Sequence, residues 1–154
     1  MKTFKIHNTL GNTLEQFHPI DPSHVRVYAC GPTVYDYAHI GNARMAVVND
    51  LLIRFLKTIY QKVTYVSNIT DIDDKIIAAS EKTKTPFKEL TQKFTKIYNN
   101  DMKILGVNLP DLQPKATDHI NEMIELIKKL IQNNFAYEKD GHVLFHVPAF
   151  KKYG

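Results

Sequence analysis

Apolar residues at Val47, Val48, Leu51, Leu52, Phe55, Leu56 and Ile59 fall at helical spacing and predict a helix over Ala43–Tyr60 with a wide buried face. Before it, Val25–Ala29 (Val-Arg-Val-Tyr-Ala) has the composition of a buried strand. After it, Lys62–Ser67 (Lys-Val-Thr-Tyr-Val-Ser) predicts a second strand. A strand, a helix and a strand over this length make one βαβ unit, parallel and right-handed by default. Ahead of that unit, Phe4–Asn8 and Thr13–Phe17 alternate loosely around Leu10-Gly11-Asn12 and predict a short hairpin.

Asn68–Lys75 is a polar strand end that runs into a helix reaching about Thr83. Thr85-Pro86 predicts an N-cap followed by proline at the first helical position. The helix it opens extends to about Leu105, and Gly106 suits a helix stop. Leu109–Pro114 carries two prolines and reads as a linker or crossover. Thr117–Asn133 predicts another helix with Ile120, Ile124, Ile127 and Ile131 on one face. Ala136–Lys139, Asp140-Gly141 and His142–Val147 form a strong hairpin pattern. The fold class is therefore α/β. Two parallel strands do not complete a doubly wound sheet, so the expectation is an N-terminal piece of a longer protein.

Composition narrows the functional classes. With 154 residues, 44% hydrophobic and 23% charged, the chain can build a packed core and is unlike a disordered segment. The net charge of +4 and pI near 9.0 suit an RNA or nucleotide partner without requiring one. Lys128-Lys129 and Lys151-Lys152 read as solvated surface. A single cysteine cannot form an internal disulfide, which points to a reducing compartment, the cytoplasm. Met1–His18 has no apolar signal core and no run approaches the length of a membrane span, so no membrane association is expected. No repeat or low-complexity segment is present.

The candidate chemistry concentrates in residues 30–42, Cys-Gly-Pro-Thr-Val-Tyr-Asp-Tyr-Ala-His-Ile-Gly-Asn, where the first buried strand gives way to a helix. In a parallel α/β sheet this is where a nucleotide phosphate meets a helix N-terminus. His39 and Asn42, three apart at the helix start, can point the same way. Gly41 lets a flat ring or a phosphate approach the backbone. Fixed donors at the place where charge grows on an α-phosphate suit nucleotidyl transfer, and losing one typically costs roughly 3 to 4 kcal/mol of barrier. A carboxylate nucleophile would be ionised already and would need no general base. The plainer alternative is that His39 caps the helix and Gly41 packs against a strand.

Cys30 reads either as a buried apolar thiol or as a metal ligand. It makes no zinc site alone, and no metal spacing links His39, His142 or His146 to it. Asp71, Asp73 and Asp74 could gather a magnesium ion, but carboxylates complementing a helix N-terminus are the preferred reading. His142 and His146, four apart on one strand, read as a solvent-facing pair.

Taken together, Tyr28–Arg44 and Tyr65–Lys75, followed by Pro114–Ile120 and the Asp140-Gly141 hairpin, resemble the N-terminal part of cysteinyl-tRNA synthetases over essentially the whole chain. The resemblance implies a class I synthetase with a partial Rossmann-type (HUP-like) parallel sheet. Residues 1–114 would be the first half of the catalytic domain, and 115–154 the beginning of the connective-peptide insertion with its β-hairpin. The implied reaction joins L-cysteine and ATP, with Mg2+, into cysteinyl-adenylate and transfers the cysteinyl group to tRNA-Cys. By the same resemblance Cys30 binds catalytic zinc, which takes the substrate thiolate. An apolar pocket separates such isosteres as cysteine and serine poorly, whereas a soft zinc–thiolate bond rejects a hydroxyl. Gly31, Thr33, Asn68 and Thr70 would line the adenylate site. His39, Gly41 and Asn42 match the His-Ile-Gly-His nucleotide signature, with Asn42 in place of the last histidine. That amide donates to a phosphate but carries no charge, so a modest effect is expected.

The family's Lys-Met-Ser-Lys-Ser motif does not occur in these 154 residues. The chain alone is therefore expected not to aminoacylate tRNA and to bind zinc weakly or not at all. Two rival readings are a mycothiol-pathway cysteine ligase, which shares the signature, and a non-catalytic nucleotide- or RNA-binding remnant.

Overall fold

A computed structural model describes residues 4–153. Residues 1–3 and 154, which the leader reading and the outer domain limits include, lie outside the described residues. The chain is α/β. Strands β1 (Lys5–Asn8) and β2 (Thr13–Gln16) form the first antiparallel hairpin, and β3 (Val25–Ala29) pairs in parallel with β4 (Val63–Ser67). The register runs from Val25 opposite Val63 to Ala29 opposite Ser67, so both strands end level with each other.

Helix α1 (Ile40–Lys57) crosses between the two strands. It begins three residues before the apolar pattern, because His39 caps it. The expected buried face is only partly buried: Val47, Val48, Leu51 and Phe55 are exposed. The helix instead packs through Ala46, Asp50, Ile53 and Leu56, of which Ile53 and Leu56 join Val25 and Tyr65 in one core cluster. A count of apolar positions overlooks Asp50. This buried carboxylate is compensated by the Arg54 guanidinium (2.7 Å) and by the Asn108 backbone N–H (3.3 Å), while Arg54 also donates to the Gly106 carbonyl (2.6 Å).

Helices α2 (Asp74–Thr83) and α3 (Phe87–Ile104) pack against the strand ends. Ile76 of α2 and Leu90 and Phe94 of α3 enclose Val34 and Ile69, forming the second core cluster. Thr85 is not the cap of α3. Pro86 occupies the cap position with extended ψ, and the Thr85 hydroxyl turns back to the Thr83 carbonyl. Helix α3 stops as expected: Gly106 has φ 77°, its N–H meets the Lys103 carbonyl, and Val107 N–H meets the Met102 carbonyl.

The expected linker at 109–114 has a structural role. Leu112 and Pro114 carbonyls accept from Ser67 (3.1 Å) and Ile69 (2.8 Å), and Asp111 N–H reaches the Tyr65 carbonyl (2.9 Å). The segment thus runs parallel beside β4. Pro114 has no N–H to give, so the pairing is reduced to two single bridges, Val66–Leu112 and Ile69–Lys115.

Beyond it, a 3-10 turn (Ala116–His119) precedes α4 (Ile120–Gln132), so this helix begins later than its pattern suggests. No α4 residue is buried, and Ile120, Ile124, Ile127 and Ile131 remain 37–43% exposed. Strands β5 (Ala136–Lys139) and β6 (His142–Phe145) form a hairpin whose turn residues Asp140 (φ 52°) and Gly141 (φ 76°) both take left-handed conformations. His142 and His146 are not a pair on one strand: β6 ends at Phe145, and the His146 ring instead meets Tyr137 edge-on. Among the described residues no helix is long and apolar enough to cross a membrane.

Candidate functional site

The level ends of β3 and β4 bring two loops together. Gly31 donates its N–H to the Asn68 side-chain oxygen (2.9 Å), and the Asn68 amide nitrogen donates to the Thr70 hydroxyl (3.0 Å). Thr70 N–H meets the Pro32 carbonyl (3.0 Å), Val34 N–H meets the Thr70 carbonyl (3.2 Å), and Thr33 bridges to Thr70 in parallel. Gly31, Thr33, Asn68 and Thr70 are therefore one connected unit. The contact is close: a Cβ on Gly31 would lie 1.5 Å from the Asn68 backbone oxygen. Gly31 is required for this approach of two backbones.

The loop leaving β3 then turns into α1. The His39 Nδ1 accepts from the Gly41 N–H (3.0 Å), and the Asn42 side-chain oxygen accepts from the His39 N–H (3.1 Å), a reciprocal cap. With Nδ1 accepting, the neutral ring carries its proton on Nε2, which is left as a donor. The space at Gly41 is filled by the His39 ring itself, with Cε1 2.7 Å and Nδ1 2.9 Å from where a Cβ would stand. Sequence reasoning assigned that space to a ligand; the cap uses it first. Asn42, with its oxygen engaged, keeps its amide hydrogens as donors.

Thr33, Tyr35, His39, Asn42, Lys75 and Tyr98 line a groove of about 200 Å³ at this helix start. Burial, and then the neighbouring Tyr65, push the Tyr98 phenol above its ordinary pKa, so at neutral pH it is a hydroxyl donor. Burial likewise raises Tyr65, against a lowering hydrogen bond with Ser67. Cys30 is exposed at the end of β3 and is not among the residues lining the groove.

The three aspartates part company. Asp73 caps α2 by accepting from Lys75 N–H (2.9 Å), and Asp74 stands in the first turn of that helix. Asp71 is buried and accepts both the Thr117 N–H (2.9 Å) and its hydroxyl (2.6 Å), which fixes the chain beyond 114 to the β4 loop. Among the described residues no three His, Cys, Asp or Glu side chains gather where a metal could be held. The described residues therefore complete no zinc site around Cys30.

Sequence reasoning did not anticipate Lys75 or Tyr98 in the groove, nor the Asp71–Thr117 contact. Lys75 closes the Asp-Asp-Lys stretch and so had a local signal. Tyr98 arrives from α3, more than fifty residues after His39, with none.

Residues 16–154 match the family model of the class I (C) tRNA synthetase catalytic domain. The chain belongs to that family. Among curated relatives it is 52% identical over 152 residues to a cysteine–tRNA ligase of Rhodospirillum rubrum, covering 99% of this chain and 33% of the relative. It is 53% identical over 149 residues to one of Rhodospirillum centenum, with 97% and 33% covered. It is 48% identical over 156 residues to one of Maricaulis maris, with 100% and 34% covered. This class I synthetase chain thus spans about a third of the length of the curated relatives it matches.

Proposed function

We propose that the complete protein is a cysteine–tRNA ligase, and that the β3–α1–β4 unit contributes the nucleotide end of its active site. The observation that carries this reading is the junction of two features at one sheet edge. One is the Gly31–Asn68–Thr70 network, and the other is the His39 cap, whose His39 and Asn42 side chains line the groove. The relatives named cysteine–tRNA ligase supply the amino acid and the polymer. In this reading the carboxylate of L-cysteine attacks the α-phosphorus of ATP, an O–P bond forms, and the bond to the bridging oxygen breaks to release pyrophosphate. In this reading the His39 Nε2–H, the Asn42 amide and the start of α1 would meet the α-phosphate as it gains charge. Mg2+ would accompany the nucleotide phosphates. The cysteinyl group then passes from the adenylate to tRNA-Cys.

Residues 1–114 are read as the first half of a Rossmann-type catalytic domain and 115–154 as the start of the connective insertion. Support comes from the last bridge, between Lys115 and Ile69 just past β4, immediately before the 3-10 turn that leads to α4 and the β5–β6 hairpin. Gly31, Thr33, Asn68 and Thr70 are read as the wall of the adenylate site. Cys30 is proposed as one ligand of a zinc ion, with the others outside the third of the protein described here. The chain on its own is proposed not to charge tRNA, and the cytoplasm is the compartment that its single cysteine favours.

The test uses the complete protein with purified tRNA-Cys. Cysteine-dependent exchange of pyrophosphate into ATP and charging of the tRNA are both expected. Exchange without charging would replace the reading with a cysteine ligase acting on another acceptor. Metal analysis of Cys30→Ser is expected to show loss of zinc; full retention would remove Cys30 from the ligand set.

A further inference from the structure

The positive charge of this chain is not spread over it. From Asp74 to Ile104, the span of α2, α3 and their connection, seven lysines stand against four carboxylates, a formal +3 of the whole chain's +4. That excess sits on α2, α3 and their connection, beside the groove at His39. Here a cavity of about 600 Å³ opens between the two helices and Tyr35. Lys75, Lys82 and Lys93 stand on its rim. None of them has a carboxylate within 4 Å among the described residues. Lys75 lines both this cavity and the neighbouring groove.

Two carboxylates, Asp36 and Glu89, also line the cavity, so with its three lysines the lining keeps one net positive charge. Asp36 is engaged by the Tyr37 N–H (2.8 Å), and Glu89 lies in the first turn of α3, where the helix dipole favours it. Lys75 and Lys82 are two helical turns apart on one face, about 10.5 Å along the axis. Between the cations lie aromatic faces: the Lys75 ammonium is 5.9 Å from the Tyr35 ring centre, and that of Lys93 is 5.3 Å from the Phe94 ring centre. Cations over a partly apolar surface match a strand of phosphates whose backbone the lysines track; the half-buried Tyr35 ring can receive a base, while Phe94 belongs to the core.

We propose that the α2–α3 pair, through this lysine-rimmed cavity, holds the sugar–phosphate backbone of an RNA strand next to the His39 groove. That the polymer is RNA rests on the ligase reading above. The cavity, the charge segregation and the unpaired lysines do not.

Fluorescence anisotropy of a labelled oligouridylate tests this on the chain as it stands, without ATP or cysteine. A Lys82→Gln/Lys93→Gln double variant removes two rim charges. A Lys128→Gln/Lys129→Gln variant removes two from α4, where Lys128 already pairs with Glu125 (2.8 Å). At low salt the rim variant is expected to bind the oligonucleotide about tenfold or more weakly, and its salt slope to flatten by about 1.4, at roughly 0.7 per lost phosphate contact on a single strand. The α4 variant is expected to bind as the original does. No RNA binding by the original chain, equal losses in both variants, or displacement of the RNA by ATP with the same lysine dependence would each overturn the proposal. A complete protein that performs cysteine-dependent exchange while its RNA affinity ignores Lys82 and Lys93 would overturn this inference alone. One that fails exchange yet binds RNA through those lysines would overturn only the ligase reading.

Discussion

The loop that leaves β3 and the loop that leaves β4 begin at the same sheet edge, and each ends in a side-chain cap, His39 on α1 and Asp73 on α2. Their surroundings are opposite. In the first loop Cys30, Asp36, Tyr37 and His39 are exposed, and only Pro32 and Val34 are buried. In the second, Ile69 and Asp71 are buried, and Asp71 is fastened to Thr117 by two hydrogen bonds. One loop presents polar groups to solvent and the other holds them in place. Geometry needed for chemistry is set by neighbours with locked positions, so the site is carried by the first loop and its accuracy by the second.

The contrast is most easily broken where the loops touch. In Gly31→Ala the new methyl would stand 1.5 Å from the Asn68 oxygen and 2.6 Å from its carbonyl carbon, both backbone atoms with no rotamer to escape through. The expected loss is more than about 4 kcal/mol of unfolding free energy, or a chain that does not fold. Urea denaturation reads it directly. A midpoint close to the original would mean that the two loops are not held together as described.

Next in size is Asp71→Ala. It removes a buried carboxylate and leaves the Thr117 N–H and hydroxyl without their partner. A loss of about 2 to 4 kcal/mol is expected, since bonds to a charged acceptor are the stronger class and an orphaned buried donor adds its own cost. The companion Thr117→Val should recover little in the double variant. Double-variant additivity would show that the two residues act separately and that the β4 loop is not the clamp it looks to be.

How much of this was legible before any coordinates is uneven for physical reasons. β3, β4 and the β5–β6 hairpin follow from β-rich runs and an Asp-Gly turn, which are local signals. The links Gly31–Asn68 and Thr33–Thr70 follow once two parallel strands are known to end level. What was not legible depends on long-range partners. The 109–116 segment beside β4 is disguised by prolines that normally end a strand. Tyr98 and Asp71 take their roles from residues far along the chain. The α1 face was read only in part: an apolar-periodicity rule cannot foresee that a buried Asp50 will be satisfied by Arg54 and a loop amide, and Val47, Val48 and Leu51 stand exposed in a chain that spans about a third of its relatives' length.

The smallest stability effect makes the sharpest comparison, because it sets the two caps against each other. His39→Ala and Asp73→Ala each remove one acceptor from a helix start, and each should cost about 1 kcal/mol of stability. Their consequences for function should differ. In the complete protein, His39→Ala is expected to slow adenylate formation about a hundredfold to a thousandfold, the usual effect of removing one donor from a developing phosphate charge, and Asp73→Ala to leave it nearly unchanged. His39→Asn separates the two roles of the imidazole. Asparagine restores an oxygen to cap Gly41, so stability should return to within a few tenths of a kcal/mol of the original, but it places no donor where Nε2–H stood. Pyrophosphate exchange that stays slow in His39→Asn assigns the ring to the nucleotide. Exchange that recovers together with stability would make His39 a cap and nothing more, and would leave the two loops differing in exposure but not in function.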